Sequence, residues 1–139
     1  MDSTLLKIAC ECPECESGRF CAFSQPKQES LSKASHKTVL PAGAILFVEG
    51  QTPRGVFIVG SKKVNLSTTS REGKILILKT AGPGEALGLS ATLSGVTYET
   101  TAETATPCPL NFVDRKQFPE LMESHGEIGL HTAQCLSRD

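Results

Sequence analysis

The sequence lacks the segments that carry a protein to or across a membrane. The residues after Met1 contain no charged region followed by a long apolar run, and no small-residue cleavage site. No later stretch approaches the roughly 18 consecutive apolar residues that a membrane-spanning helix needs. These absences predict a cytoplasmic protein with no membrane partner. Disulfides are rare in such a reducing compartment.

An excess of charge of one sign is also lacking. Lys and Arg together number 14, Asp and Glu number 15, and the formal net charge is -1. The basic residues form no run or stripe, although a phosphate backbone is held mainly by clustered cations. We therefore do not expect this chain alone to hold DNA.

Arrangements typical of catalysis are missing as well. The sequence shows no Ser/His/Asp or Cys/His nucleophile pattern and no glycine-rich loop of the Walker type. It also shows no pair of carboxylates whose neighbours would tune them for acid–base catalysis. We interpret the three histidines, His36, His125 and His131, as surface residues. The chain is therefore not expected to be an enzyme.

What the chain does have is a concentration of cysteines near its start. Cys10, Cys12, Cys15 and Cys21 lie close together, and Cys108 stands alone far downstream. In a reducing compartment such a group favours metal binding or redox chemistry over crosslinks. Four thiolates suit an iron-sulfur cluster or a structural zinc ion, and redox-active thiols without metal are a third interpretation. A zinc site closed by the first four would leave Cys108 a buried thiol.

At 139 residues the chain suits a single domain. We predict a cysteine-rich arm over residues 1–23, a polar linker over 24–37, a β-rich domain over 38–124 and the start of a helix over 125–139. Short β-rich runs separated by glycine and proline turns fill the third segment. These runs are 38–40, 44–48, 56–59, 63–68, 74–80, 86–89, 97–105 and 110–113.

Local patterns give more specific predictions. Gly73 indicates a hairpin, and the apolar run 75–78 is typical of a central strand because both of its faces are apolar. Asp114 predicts the N-terminal cap of a short helix that includes Phe118 and Leu121. A second helix begins near residue 125 and stops early, which is typical of a truncated chain.

The order of strands, turns and helices resembles the β-roll effector domain of the Crp/Fnr family of bacterial transcription regulators. The matching motifs are LPAG at 40–43, FVEG at 47–50, VFIVGS at 56–61, GK at 73–74 and GPGEALG at 82–88. The resemblance implies a mainly β fold: a double-stranded β-helix, or jelly roll, of the cyclic-nucleotide-binding type with short flanking helices. It also implies that residues 125–139 are the start of a helix through which the full-length protein forms a homodimer. In the family a DNA-binding domain follows this helix, and in this protein it would lie beyond residue 139.

Family members that bind a cyclic nucleotide place a glutamate on the ribose and an arginine on the phosphate. Between Gly82 and Cys108 this chain has neither Arg nor Lys, so a buried phosphate would find no cation to replace its water. Tyr98 and Glu99 fall where the arginine would be, and Glu85 fits the preceding turn better than a ribose contact. Cyclic AMP is therefore not expected as a ligand.

Oxygen-sensing members of the Fnr branch hold an iron-sulfur cluster with three N-terminal cysteines and one from the roll. Cys12, Cys15 and Cys21 reproduce the spacing of two and then five intervening residues, and Cys108 precedes a strand near the position of the fourth ligand. The resemblance therefore implies a [4Fe-4S] cluster on these four residues, with Cys10 as a substitute for one of them.

These features lead to two hypotheses. The first is the sensor domain of a Crp/Fnr-like regulator that reports oxygen or redox state through the cluster. The alternative is a stand-alone domain of the same fold, with zinc or no metal at the cysteines. This second domain would bind a protein partner or an uncharged or cationic ligand near Glu85, Tyr98 and Glu99.

Overall fold

The computed structural model describes residue 33 and residues 35–138. The arm cysteines Cys10, Cys12, Cys15 and Cys21 lie outside the described residues, as does most of the predicted linker. None of the helices in the described part combines the length and the apolar character that crossing a bilayer requires.

The described residues form two four-stranded antiparallel sheets and three helices. The first sheet has the strand order β1-β8-β3-β6 and the second has the order β2-β7-β4-β5. The elements are β1 His36–Leu40, β2 Ile45–Phe47, β3 Gly55–Val59, β4 Val64–Thr69, β5 Ile75–Ala81, β6 Ala86–Leu87, α1 Leu89–Ser94, β7 Thr101–Thr104, β8 Cys108–Asp114, α2 Gln117–Ser124 and α3 Gly126–Arg138. The predicted mainly β jelly roll with short flanking helices is confirmed.

Strand β8 shows how the side chains divide between two cores. Cys108 and Leu110 belong to the apolar cluster between the two sheets, and Phe112 packs against it. Val113, on the other face, belongs to a second cluster that includes Phe118 of α2 and Ile128 of α3. Because successive side chains of a strand point to opposite faces, β8 contributes to both cores. The helices therefore cover the outside of the first sheet.

Strand β5 corrects one prediction from the sequence. The run 75–78 was expected in a central strand, but β5 is an edge strand and pairs with β4. Its four large apolar side chains are between 52% and 71% exposed. The periodicity of apolar residues indicates which faces of a strand are apolar, but it does not show whether another sheet or helix packs over them. The hairpin predicted at Gly73 is confirmed, with Gly73 at φ +84°.

Several strand boundaries also differ from prediction. The strand expected over 86–89 ends at Leu87, because Gly88 adopts φ +83° and turns the chain into α1. The strand expected over 97–105 shortens to β7. Strand β1 begins at His36, inside the predicted linker, because it continues the pairing with β8 up to His36 opposite Phe112.

The two helices that were predicted after the last strand are present as α2 and α3. The expected cap is wrong in detail, since the N-cap of α2 is Lys116 and makes no side-chain cap hydrogen bond. The Asp114 carboxylate instead accepts a hydrogen bond from the Lys116 backbone N–H at 2.8 Å. Asp114 therefore stabilises the turn that leads into α2.

Candidate functional site

The glycine turn over residues 82–88 is held on the end of β3. Backbone hydrogen bonds run from Gly84 N–H to the Val59 carbonyl at 2.7 Å and from Val59 N–H to the Glu85 carbonyl at 2.9 Å. The Glu85 carboxylate accepts the Gly82 N–H and forms an ion pair with Lys79 at 2.8 Å. Glu85 therefore stabilises its own turn, in agreement with the interpretation from the sequence.

The Tyr98 side chain lies in the core between the two sheets, next to Gly88 of this turn. Its side chain is 2% exposed, and its ring stacks on Phe47 with centroids 4.0 Å apart and an interplanar angle of 16°. The hydroxyl accepts hydrogen bonds from the backbone N–H of Arg54 at 3.0 Å and of Gly55 at 3.3 Å. It donates to the Gly55 carbonyl at 2.9 Å. The phenol is therefore satisfied by the protein on every side.

The residues around Tyr98 are shaped to admit its ring. A Cβ atom at Gly88 would lie 2.8 Å from Cε1 of Tyr98, so only glycine leaves room for the aromatic edge. The Thr92 hydroxyl donates to the same Gly55 carbonyl at 3.0 Å and joins α1 to the first residue of β3. Tyr98 thus links the glycine turn, α1 and β3 from within.

This burial overturns the ligand position in the alternative hypothesis. A cavity shared by Glu85, Tyr98 and Glu99 was expected, but Tyr98 is buried, Glu99 is exposed and Glu85 is engaged by Lys79 and Gly82. Sequence reasoning placed Tyr98 where an arginine would fall, yet it missed that the ring fills the space. The one available signal was that Tyr98 is the only tyrosine of the chain.

Cys108, the predicted fourth cluster ligand, is the first residue of β8. Its side chain is 0% exposed and belongs to the apolar cluster between the sheets. The thiol lies 3.6 Å from the Pro109 carbonyl. Burial raises the pKa of the Cys108 thiol above its ordinary value of 9.0, because desolvation disfavours the thiolate. Burial therefore favours the thiol over the thiolate at this position.

The structure does not bring Cys108 together with Cys135, the other described cysteine. Cys135 is half-buried on α3 and packs against the second core cluster. Among the described residues, no group of three or more His, Cys, Asp or Glu side chains is arranged to hold a metal ion. The other predicted ligands lie in the arm, so the ligand set stays a prediction.

Comparisons with known proteins agree with this architecture. The family model for the cyclic nucleotide-binding domain matches residues 37–125. No curated protein sequence matches the chain significantly.

Three solved structures illustrate the similarity of fold. The catabolite activator protein of Thermus thermophilus has a TM-score of 0.80 and 22% identity, over 88% of this chain and 57% of that chain. The sensor domain of the transcriptional regulator DNR from Pseudomonas aeruginosa has a TM-score of 0.69 and 20% identity, over 84% and 78%. A cyclic nucleotide-binding-like protein from Brucella abortus has a TM-score of 0.63 and 27% identity, over 75% and 89%. This chain therefore spans only a little over half the length of the Thermus protein.

Proposed function

Since the chain belongs to the cyclic nucleotide-binding domain family, we propose that it is a regulatory sensor domain whose signal is not a cyclic nucleotide. The burial of Tyr98 carries this proposal. The ring occupies the interior behind the glycine turn, and its hydroxyl uses backbone groups that would otherwise be open to a ligand.

The energetics oppose a nucleotide at this place. A ligand there would have to displace a ring stacked on Phe47 and leave the N–H groups of Arg54 and Gly55 without their acceptor. The N–H of Gly55 is buried, and a buried group left unsatisfied costs about 1–3 kcal/mol. The segment between Gly82 and Cys108 contains no Lys or Arg to compensate by binding a phosphate.

Calorimetric titration with cyclic AMP and cyclic GMP tests this proposal. We expect no saturable heat with the wild-type chain. We also expect none with Tyr98→Ala, which empties the space but adds no cation. Saturable binding of either nucleotide by the wild type in the micromolar range would overturn the proposal.

For the signal itself, we propose a redox centre on the arm cysteines. The spacing of Cys12, Cys15 and Cys21 supports a [4Fe-4S] cluster, with Cys108 or Cys10 as the fourth ligand. In the described arrangement the Cys108 thiol is enclosed in the apolar interior, which supports Cys10 over Cys108 as the fourth ligand. A ligand set completed by Cys10 would leave the core of the roll intact.

Anaerobic purification followed by iron, sulfide and zinc assays tests the redox proposal. Cys108→Ala is the informative variant, and Cys135→Ala is the matched control in the other core cluster. A coloured protein that bleaches in air supports a cluster. Loss of iron in Cys108→Ala alone would then assign the fourth ligand to Cys108, whereas unchanged iron would assign it to the arm.

A colourless protein with zinc or with no metal would exclude the redox centre. The stand-alone binding domain would then be the better description of the chain. In that case the cysteines would be a structural zinc site or free thiols.

We further propose that a longer form of the protein dimerises through α3 and binds DNA through an additional domain. One feature of α3 supports a helical interface: Leu130 is 60% exposed while Ile128 is buried against the roll. Sedimentation of the wild type and of Leu130→Lys tests the interface. An unchanged monomer-dimer distribution would contradict it.

A further inference from the structure

An open groove of about 720 Å³ lies between the edge strands of the two sheets, β1 and β2. Its floor is apolar and is formed by Leu40, Leu46, Phe57 and Phe112. Phe57 and Phe112 contact each other with centroids 4.8 Å apart. The volume falls within the range of about 300–1,000 Å³ that is typical of small-molecule sites.

Three cations line this groove. Arg54, Arg115 and Lys116 line it and are exposed, and the one acidic residue among its lining residues is Asp114. The Asp114 carboxylate is already engaged by the Lys116 backbone N–H at 2.8 Å. The lining side chains therefore carry three positive charges against one negative charge, in a chain whose overall charge is -1.

The two arginines are positioned by backbone carbonyls. The Arg54 guanidinium donates to the Leu46 carbonyl at 3.0 Å and so reaches from the first sheet to β2. The Arg115 guanidinium contacts the Pro53 carbonyl at 3.5 Å, and its backbone N–H donates to the Arg54 carbonyl at 3.0 Å. Within the described part, neither arginine nor Lys116 forms an ion pair with a carboxylate. Each guanidinium keeps further N–H donors for an anion.

We infer that this groove binds an amphipathic carboxylate, such as a fatty acid, with its chain on the apolar floor and its head group at Arg115 and Lys116. A carboxylate can accept two parallel hydrogen bonds from one guanidinium, and this pairing is stronger than a neutral hydrogen bond. The acyl chain would gain about 25 cal/mol for each Å² of apolar surface that it removes from water. The combination of a cationic head-group site with an apolar floor is what favours an amphipathic carboxylate over a small anion or an uncharged apolar ligand.

This groove is distinct from the place occupied by Tyr98. None of its lining residues comes from the 82–98 segment. The Tyr98 hydroxyl binds the backbone of Arg54 and Gly55, whereas the groove uses the Arg54 side chain. The inference therefore does not rest on the proposed function, and each can fail without the other.

Calorimetric titration of the full chain with sodium decanoate tests the inference. We expect saturable binding of one decanoate per chain. Decyltrimethylammonium, which has the same chain length and the opposite charge, should not bind, and neither should acetate, which lacks the chain. Equal binding of the cationic amphiphile would overturn the assignment of the head-group site, and equal binding of acetate would overturn the role of the floor.

Variants locate the site. The double variant Arg115→Gln with Lys116→Gln should weaken decanoate binding about tenfold or more, because charge-assisted hydrogen bonds are lost. Arg71→Gln with Lys74→Gln removes two exposed cations at the β4–β5 turn and should leave the affinity unchanged. Thr38→Trp, on an exposed lining residue, should block the groove without changing the melting temperature. Wild-type affinity in the first double variant or in Thr38→Trp would overturn the inference.

The carboxylate could come from a free acid, whereas a membrane would present phosphate head groups. Co-sedimentation with phosphatidylglycerol vesicles separates these sources. We expect no co-sedimentation, because the groove lies between two strands and would have to extract the chain from the bilayer. Vesicle binding that is lost in the Arg115→Gln, Lys116→Gln variant, without binding of decanoate, would overturn the assignment to a free acid.

Discussion

The Tyr98 hydroxyl donates a hydrogen bond of 2.9 Å to the carbonyl of Gly55, which lies 43 residues earlier in the chain. Only glycine fits at position 55, because a Cβ atom there would lie 2.2 Å from the Val113 carbonyl oxygen. The pair therefore joins the segment between α1 and β7 to the start of β3 through the interior. A residue at the position where a ligand-binding arginine was sought is part of the core.

Tyr98→Phe tests the importance of the hydroxyl. The substitution keeps the ring on Phe47 but leaves the N–H groups of Arg54 and Gly55 without their acceptor. We expect the free energy of unfolding to fall by about 1–3 kcal/mol. Urea denaturation measures this loss, with the exposed neighbour Thr97→Ala as a control that should change it by less than about 0.5 kcal/mol. Equal stability of Tyr98→Phe and wild type would contradict the hydrogen-bond assignment.

Gly88→Ala tests the fit of the ring against the turn. Alanine at φ +83° costs roughly 1–2 kcal/mol in any background. In the wild type the new methyl also lies 2.8 Å from Tyr98. We expect the same substitution to cost less in a Tyr98→Ala background, with a coupling energy of about 0.5–3 kcal/mol. Additive effects in this double-mutant cycle would show that contact with the Tyr98 ring does not restrict the side chain at position 88.

Ile77→Thr tests the exposure of β5. Both residues are β-branched, so strand propensity is retained, and Ile77 is largely exposed. We expect the free energy of unfolding to change by less than about 0.5 kcal/mol. Val64→Thr on β4 places a hydroxyl at a fully buried position and should cost about 1–3 kcal/mol. Thermal denaturation compares the two variants, and similar losses would mean that β5 is covered in solution.

The raised pKa of Cys108 predicts a dependence of stability on alkaline pH. The folded state holds the proton more tightly than the unfolded state, so the unfolded state loses it first as the pH rises past 9.0. The stabilising contribution is fully present below that pH and is lost as the pH rises through the folded-state pKa. Denaturation of wild type and Cys108→Ala across this range should show a steeper decline for the wild type.

Cys135 provides the control for this pH dependence. Cys135→Ala should keep the wild-type slope, because Cys135 is only half-buried. Parallel curves for wild type and Cys108→Ala would mean that the Cys108 thiol is accessible to water. That result would also remove the objection to Cys108 as a cluster ligand.

Most of the fold could be predicted from local patterns. Turns at Gly43 and Gly73 adopt positive φ, and the alternation of polar and apolar residues in β4 marks a strand with one buried face. The helices after β8 follow from apolar spacing that brings Phe118 and Leu121 to one face. Such signals are short-range, because they depend on residues that are neighbours in the chain.

The candidate sites were less predictable. Nothing near Tyr98 in the sequence shows that Phe47, Arg54 and Gly55 surround it, because these contacts cross more than 40 residues. The groove cations are likewise separated, with Arg54 just before β3 and Arg115 just after β8. The sequence contains no basic run, and the cluster of cations forms only when these two strands pair.

The amino-acid sequence alone determined the architecture, through the period of its strands and the placement of its glycines, and it excluded a phosphate-binding cation from the 82–108 segment. The tertiary structure decided what occupies the interior and what remains open. It buried Tyr98 and Cys108, exposed β5 and brought Arg54 to the same groove as Arg115 and Lys116. The physical reason is that burial and electrostatic environment are properties of the packed layers, and these layers are built from strands that are remote in the chain.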